Sequence, residues 1–324
     1  MRSLDSKLEK ILAGKYSPQD FIIADAKDGD MAFGCATPGQ GPDGRMRGLD
    51  HYRKDMERVT ASGLVDIMLM SLSTAEVLQD RAVFDGSAVT PAVRLNDTTD
   101  IWQARGGCYP GLPARMFRTA RLDRARDVAD LGLFSVTFHN ELEHDMAMLE
   151  AYAAFRDEAE AQGMRHFLEV FNPQAPVTVN GDFATYNNDM IVRCLAGVSR
   201  RDRPLFLKAA YNGPGPTEEI AGYDSSIVFG ILGGGAGTTR DCLELLAQAE
   251  RYGARVALFG RKIYRSEDSL CMLRAMRRVI GEGIGSSEGV KAYHADLAAK
   301  GIAPFRSLED DLALTEEVLI ANAL

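Results

Sequence analysis

The stretch RPLFLKAAYNGPGP, residues 203–216, is short, apolar and β-like, yet it carries a lysine, Lys208, near its middle. A buried ammonium has two uses. Held among apolar and aromatic walls, its charged form is disfavoured, and a neutral lysine attacks carbonyl carbons to give an imine. The other use is structural, as the partner of a buried carboxylate, because buried charges are usually paired. Groups able to play either part stand in other β-like runs: Asp25 in FIIADA, Glu169 in RHFLEVF and His139 at the end of LFSVTFH. Lys27 follows Asp25 by two residues, and a second cation nearby disfavours the charged amine further. Carboxylates in such a group also shuttle protons during imine chemistry, with His139 and Tyr211 as further proton carriers.

Such residues converge only if a framework brings them together. Eight β-rich runs, at 21–26, 64–71, 88–95, 133–139, 165–171, 204–211, 225–232 and 255–260, alternate with amphipathic helical patterns such as HYRKDMERVTASG and TTRDCLELLAQAERYG. Those patterns repeat apolar residues at i, i+3, i+4 and i+7 and close on glycine. Strands that alternate with helices pair in parallel through right-handed crossovers, and eight units over about 250 residues predict a (β/α)8 TIM barrel. A doubly wound open sheet is the competitor, but the glycine-rich turn it needs after the first strand is missing. Barrel chemistry lies at the C-terminal strand ends, where Asp25, His139, Glu169 and Lys208 fall. Side chains alternate along a strand, so Phe167, Glu169 and Phe171 share one face, Phe206, Lys208 and Ala210 another, and Ile23, Asp25 and Lys27 a third. If all three faces point inward, the charged groups meet. Met68 and Met70 on the second strand read as barrel filling.

The last two units carry a different chemistry. After the seventh run, GILGGGAGTTRDCLELL places Gly233, Gly234 and Gly235 ahead of a helix opening at Thr238 or Thr239, and after the eighth, FGRKIYR supplies Gly260 and Arg261. Exposed backbone N–H groups and a helix N-terminus make an anion site, and barrels commonly bind phosphate in the loops after strands seven and eight. Two other loops are candidates for specificity. GCATPGQGPDGRMRG, residues 34–48, has the length and glycine content of a lid or binding loop, with Arg45 and Arg47. RLNDTTDIWQARGGCYPG brings Arg94, Asn96, Asp97, Trp102 and Arg105 to the end of the third strand, with Trp102 either walling a pocket or packing a core.

Composition limits the rest. The 324 residues are 46% hydrophobic and 26% charged with a net charge of −9, so neither nucleic acid nor an anionic membrane suits the surface as a whole, and an anionic ligand needs a locally positive site. No signal peptide opens the sequence and no run reaches the roughly 18 apolar residues of a membrane span, which predicts a cytoplasmic protein. Five scattered cysteines without a CxxC pair read as reduced thiols. HNELEHD lacks the spacing of a helical ligand pair, so neither a metal nor another cofactor is expected. One domain over 1–324 is predicted, with a short helix before the barrel and a helical tail from about 281 to 324. The tail's apolar face, Val290, Tyr293, Leu297, Leu312, Leu314, Val318 and Leu319, must be buried on the barrel or on a neighbouring subunit, and a homo-oligomer is expected.

FLKAAYNG resembles the lysine strand of the class I (Schiff-base) aldolases of the archaeal-type fructose-bisphosphate, tagatose-bisphosphate and deoxyribose-phosphate aldolase superfamily. The GGG and FGRKIY segments resemble that superfamily's phosphate-binding turns. IIADAKDGDMAFG is similar to the first strand of the tagatose-bisphosphate branch, with Asp25 at its acidic and Lys27 at a basic position, and MRHFLEVFNP to its fifth strand, with Glu169 at its glutamate. The likeness runs over roughly residues 20–275. Two departures stand out. Thr137 occupies the place of a strand-four lysine, with His139 two residues on, and Asn172 lies near the place of a strand-five tyrosine. The resemblance implies a metal-independent carbon–carbon lyase of a ketose (bis)phosphate, with a Schiff base on Lys208 and dihydroxyacetone phosphate or a related triose as one product. Phosphate binding is then expected at Lys27, Gly233, Gly234, Gly235, Gly260 and Arg261. The same residues leave open a phosphosugar isomerase or transaldolase-like enzyme using this lysine, and a sugar-phosphate sensor without turnover.

Overall fold

The computed structural model describes residues 2–40, 44–101, 103–235 and 237–322. Each of the eight β-rich runs contributes one strand: β1 (Ile22–Lys27), β2 (Ile67–Met70), β3 (Thr90–Arg94), β4 (Leu131–Thr137), β5 (Arg165–Phe171), β6 (Phe206–Ala209), β7 (Val228–Leu232) and β8 (Val256–Phe259). They pair in parallel in sequence order, and β8 closes on β1 to complete a barrel. Helices follow the strands on the outside, among them Leu49–Ser62 after β1 and Thr239–Arg251 after β7. The fold is therefore a (β/α)8 TIM barrel.

Which face of each strand points inward decides which residues can meet. Ile22 and Ala24 of β1, Ile67 and Leu69 of β2, Phe167 of β5, Phe206 of β6 and Leu258 of β8 belong to one buried cluster inside the barrel, plugged from below by Leu4 and Leu8 of the helix Ser3–Leu12. The rings of Phe167 and Phe206 stack at 4.6 Å between centroids, one strand period below Glu169 and Lys208. Ile23, Met68 and Met70 belong instead to the layer between strands and helices. Two expectations are corrected here. The methionines pack outside the barrel, and the face of Ile23, Asp25 and Lys27 points away from its interior. Parallel strands are buried on both sides, and β1 is apolar at 22, 23 and 24 alike, so its hydrophobic pattern does not say which parity faces in.

The tail's apolar face finds its cover within the chain. The helix Ser286–Ala299 lies against Thr239–Arg251 and Ser269–Arg277, with Val290, Tyr293 and Leu297 fully buried. Leu319 is also fully buried, and its carbonyl accepts from Gln248 Nε2 at 3.1 Å. The burial argument for an oligomer is thereby removed. No helix among the described residues is long and apolar enough to cross a membrane.

Candidate active site

A cavity of about 480 Å³ opens at the C-terminal ends of the strands. Lys208 lies at its base. Its Nζ pairs with Glu169 Oε1, and the two residues are direct neighbours across β5 and β6, their side chains only 5% and 1% exposed. The second oxygen of Glu169 accepts from Arg94 Nη2 and from Ser135 Oγ, each at 3.0 Å. Asn96 fixes that serine by accepting from its N–H at 2.6 Å and donating to its carbonyl at 2.8 Å.

Arg94 is the hub of this cluster. Its guanidinium donates to Asp28 and to Ser135 Oγ, stands 3.4 Å from Asp97 Oδ1, and lies over the ring of Phe171. Burial works against its charge, but the carboxylates of Asp28, Asp97 and Glu169 outweigh that and raise its pKa. Asp97 has a poorer balance. Burial pushes its carboxyl up to about 6 against the pull of Arg94, and its Oδ2 is buried with no partner. The base of the cavity thus holds three carboxyl groups, Asp28, Asp97 and Glu169, around two cations, Arg94 and Lys208.

The opposite edge gathers glycines and arginines. Gly233, Gly234 and Gly235 follow β7 and line the cavity, with Gly234 at φ 62° and both Gly234 and Gly235 exposed. Gly260 is demanded by packing, because a Cβ there would stand 2.6 Å from the carbonyl oxygen of Ala26. Arg261 and Arg265 set their guanidiniums against the ring of Phe33, 5.3 and 5.9 Å from its centroid, and burial together with Arg265 lowers the pKa of Arg261. Two crowded cations beside exposed main-chain N–H groups favour a bound anion. The long helix after β7 does not add its N-terminus, which corrects the sequence reading. Thr238 and Asp241 form a capping box there, and the N–H of Thr239 donates to Asp311 Oδ1 at 2.8 Å, so the tail already supplies the negative charge.

Four residues expected at the site lie elsewhere. Lys27 is fully buried behind β1, where its Nζ meets Asp25 and, at 3.0 Å, Asp55 of the helix Leu49–Ser62. Burial works against its charge, yet the two carboxylates outweigh it and its pKa is raised. Burial also holds the carboxyl of Asp25 at about 6, despite Lys27. At Asp55 burial is overcome by Lys27 and by hydrogen bonds from Ser269 and Arg58, which bring it down to about 2. His139 does not line the cavity; its Nε2 accepts from the N–H of Ala114 at 2.9 Å, anchoring the loop beyond β3, and burial lowers its pKa. Tyr211 points outward and donates to Gln248 Oε1 at 2.9 Å. Arg47 faces a neighbouring cleft beside Asp55 and Tyr264. Residues 41–43 of that loop, and Trp102, lie outside the described residues.

The sequence reading therefore brought Lys208, Glu169, the glycine turn, Gly260 and Arg261 together correctly in space, and missed Asp28 and Ser135. Asp28 follows the last residue of β1, where the ambiguous parity of that strand gave no signal for it.

No family model matches the chain, and no curated protein matches its sequence. Solved structures do. An archaeal fructose 1,6-bisphosphate aldolase is 17% identical with a TM-score of 0.62 over 86% of this chain and 98% of that one. A structure describing the mechanism of a Schiff-base-forming fructose-1,6-bisphosphate aldolase matches at 17% identity and the same TM-score, over 86% and 99%. A fructose-bisphosphate aldolase from Slackia heliotrinireducens matches at 13% identity and 0.60, over 91% and 90%. At such identities the common property is the barrel fold, and it is the fold of the superfamily that the lysine strand and the two glycine turns resemble.

Proposed function

We propose that the protein is a class I aldolase that cleaves or forms a ketose phosphate through an imine on Lys208. One observation carries this reading: the only lysine lining the cavity, among the described residues, lies at its base against a carboxylate, across from a glycine turn flanked by two arginines. With the phosphate at Gly233–Gly235 and Arg261, the ketone carbon comes to lie over Lys208. Glu169 takes the ammonium proton, the free amine adds to the ketone, and Glu169 passes that proton and then a second one from the nitrogen to the ketone oxygen, which leaves as water. Arg94 and Ser135 hold Glu169 in position for both transfers. The protonated imine then draws the electrons of the breaking carbon–carbon bond, while Asp28 accepts the hydroxyl proton of the departing aldehyde. Protonation of the enamine and hydrolysis free the second product and Lys208.

The iminium serves as the electron sink, so turnover should be indifferent to chelator. The reading is tested with dihydroxyacetone phosphate and borohydride. Reduction should fix the triose to the protein as a secondary amine, and peptide mapping should find the added mass on Lys208. A panel of ketose phosphates should release a triose phosphate. Trapping without release on any of them would favour the sensor, and absence of both would remove the reading.

A further inference from the structure

We infer that the substrate is a ketose monophosphate, whose departing aldehyde half is an uncharged, hydroxylated chain with one hydroxyl donating to Asp97. This rests on the aldolase reading for the position of the bond that breaks, and on the charge distribution of the cavity for the rest. Four cations line the cavity among its described residues. Lys208 is the nucleophile, Arg261 and Arg265 stand together at the β8 edge, and the charge of Arg94 is already shared among the carboxylates of Asp28, Asp97 and Glu169. No cation remains for a second phosphate.

The far side, toward β3 and β5, offers the reverse. Asp97 lines the cavity there, its Oδ2 buried and unpartnered among the described residues, an acceptor free to take a ligand's donor. Around it the cavity is lined by Ile101, Gln103, Asn172 and Gln174, apolar or neutral and suited to a sugar chain. A terminal phosphate in this half would bring two negative charges beside the buried carboxylates Asp28, Asp97 and Glu169, where each like-charge pair lowers affinity on the order of tenfold. A hydroxyl at the same place meets an acceptor instead.

Alditol phosphates separate this inference from the aldolase reading, because they have no carbonyl and form no imine. Binding of a hexitol 1-phosphate and of the matching hexitol 1,6-bisphosphate to the full chain is measured by calorimetry. The monophosphate should bind at least about tenfold more tightly. Equal or tighter binding of the bisphosphate would overturn the inference, whatever trapping on Lys208 gives. If trapping with dihydroxyacetone phosphate fails while the monophosphate preference holds, the aldolase chemistry falls and the monophosphate site stands. Asp97→Asn keeps the shape and removes the charge, so in a variant with a normal thermal transition the preference should shrink severalfold. An unchanged preference would take Asp97 out of the discrimination.

Discussion

The chain buries two lysines on barrel strands, each against a carboxylate, on opposite sides of the barrel wall. Lys27 is closed in by Asp25 and Asp55 behind β1, with its side chain wholly inaccessible. Among the described residues Lys208 pairs with Glu169 alone, and its side chain reaches the cavity. Glu169 is in turn held by Arg94 and Ser135, so it keeps its orientation if the lysine changes partner. A cation shared by two carboxylates in a sealed layer has nowhere to go. A cation with one carboxylate and an open side can exchange it for a substrate. Burial and pairing are common to both, and access is what distinguishes a structural lysine from a candidate nucleophile.

Substitution should separate the two lysines sharply. Lys208→Arg keeps a cation beside Glu169 but cannot supply a neutral amine, so the rate should fall by about three orders of magnitude or more while the thermal transition stays close to that of the wild type. A variant that still turned over would return Lys208 to a structural role. Lys27→Met leaves Asp25 without a cation in a buried layer, while Asp55 retains Arg58, and the change should cost about 3–5 kcal/mol and lower the Tm by several degrees. The folded fraction should retain its turnover number within about twofold, since the change lies behind the barrel wall. Loss of turnover at an unchanged Tm would reverse the assignment of the two lysines.

How far the sequence reveals this contrast follows from strand periodicity. The number, order and parallel pairing of the strands were legible, because alternation with amphipathic helices and the length of the chain leave few architectures. The inward parity of β5 and β6 was legible too, since Glu169 and Lys208 stand among aromatic residues that must fill a barrel. On β1 the pattern is silent: apolar residues fill positions 22, 23 and 24, and a one-residue change of parity moves every side chain to the other face. Asp25 and Lys27 were therefore read into the site, where the parity puts Asp28. Arg94 was visible only as a loop arginine, because its role depends on carboxylates from three separate segments. The capping of Thr239 by Asp311 spans 72 residues, and no local signal announces it.

The two sides share a pH response, because burial holds Asp25 behind the wall as well as Asp97 in the cavity at about 6, so a substitution is needed to isolate the cavity's part. Burial holds the Asp97 carboxyl at about 6, against an ordinary value of 3.8. Below about pH 4 this group is protonated in folded and unfolded chains alike. Between pH 4 and 6 the folded chain binds the extra proton, so the stability it contributes is lost as pH rises, and the loss is complete above about 6. Asparagine does not titrate. The stability of Asp97→Asn relative to the wild type should therefore increase from pH 4 to pH 7 by up to about 3 kcal/mol and level off above pH 6. Thermal transitions of both proteins across that range provide the measurement, and a difference that stayed flat or decreased would mean that Asp97 is not held protonated by the fold.

The smallest expected effect is at the glycine turn, which on the proposed reading serves a ligand where Gly260 serves the fold. A Cβ at Gly260 would collide with the backbone of β1, whereas a Cβ at Gly235 meets nothing within 4 Å, and Gly235 does not occupy the left-handed region. Gly235→Val should fold with an unchanged Tm. Its side chain would then stand where a phosphate approaches the exposed main chain, so KM for a phosphorylated ketose should rise about tenfold with kcat largely retained, the signature of lost binding common to ground state and transition state. Lys208 should remain trappable by borohydride at raised ligand concentration. An unchanged KM in the folded variant would separate the anion edge from the glycine turn and leave Arg261 and Arg265 to hold the phosphate through their side chains.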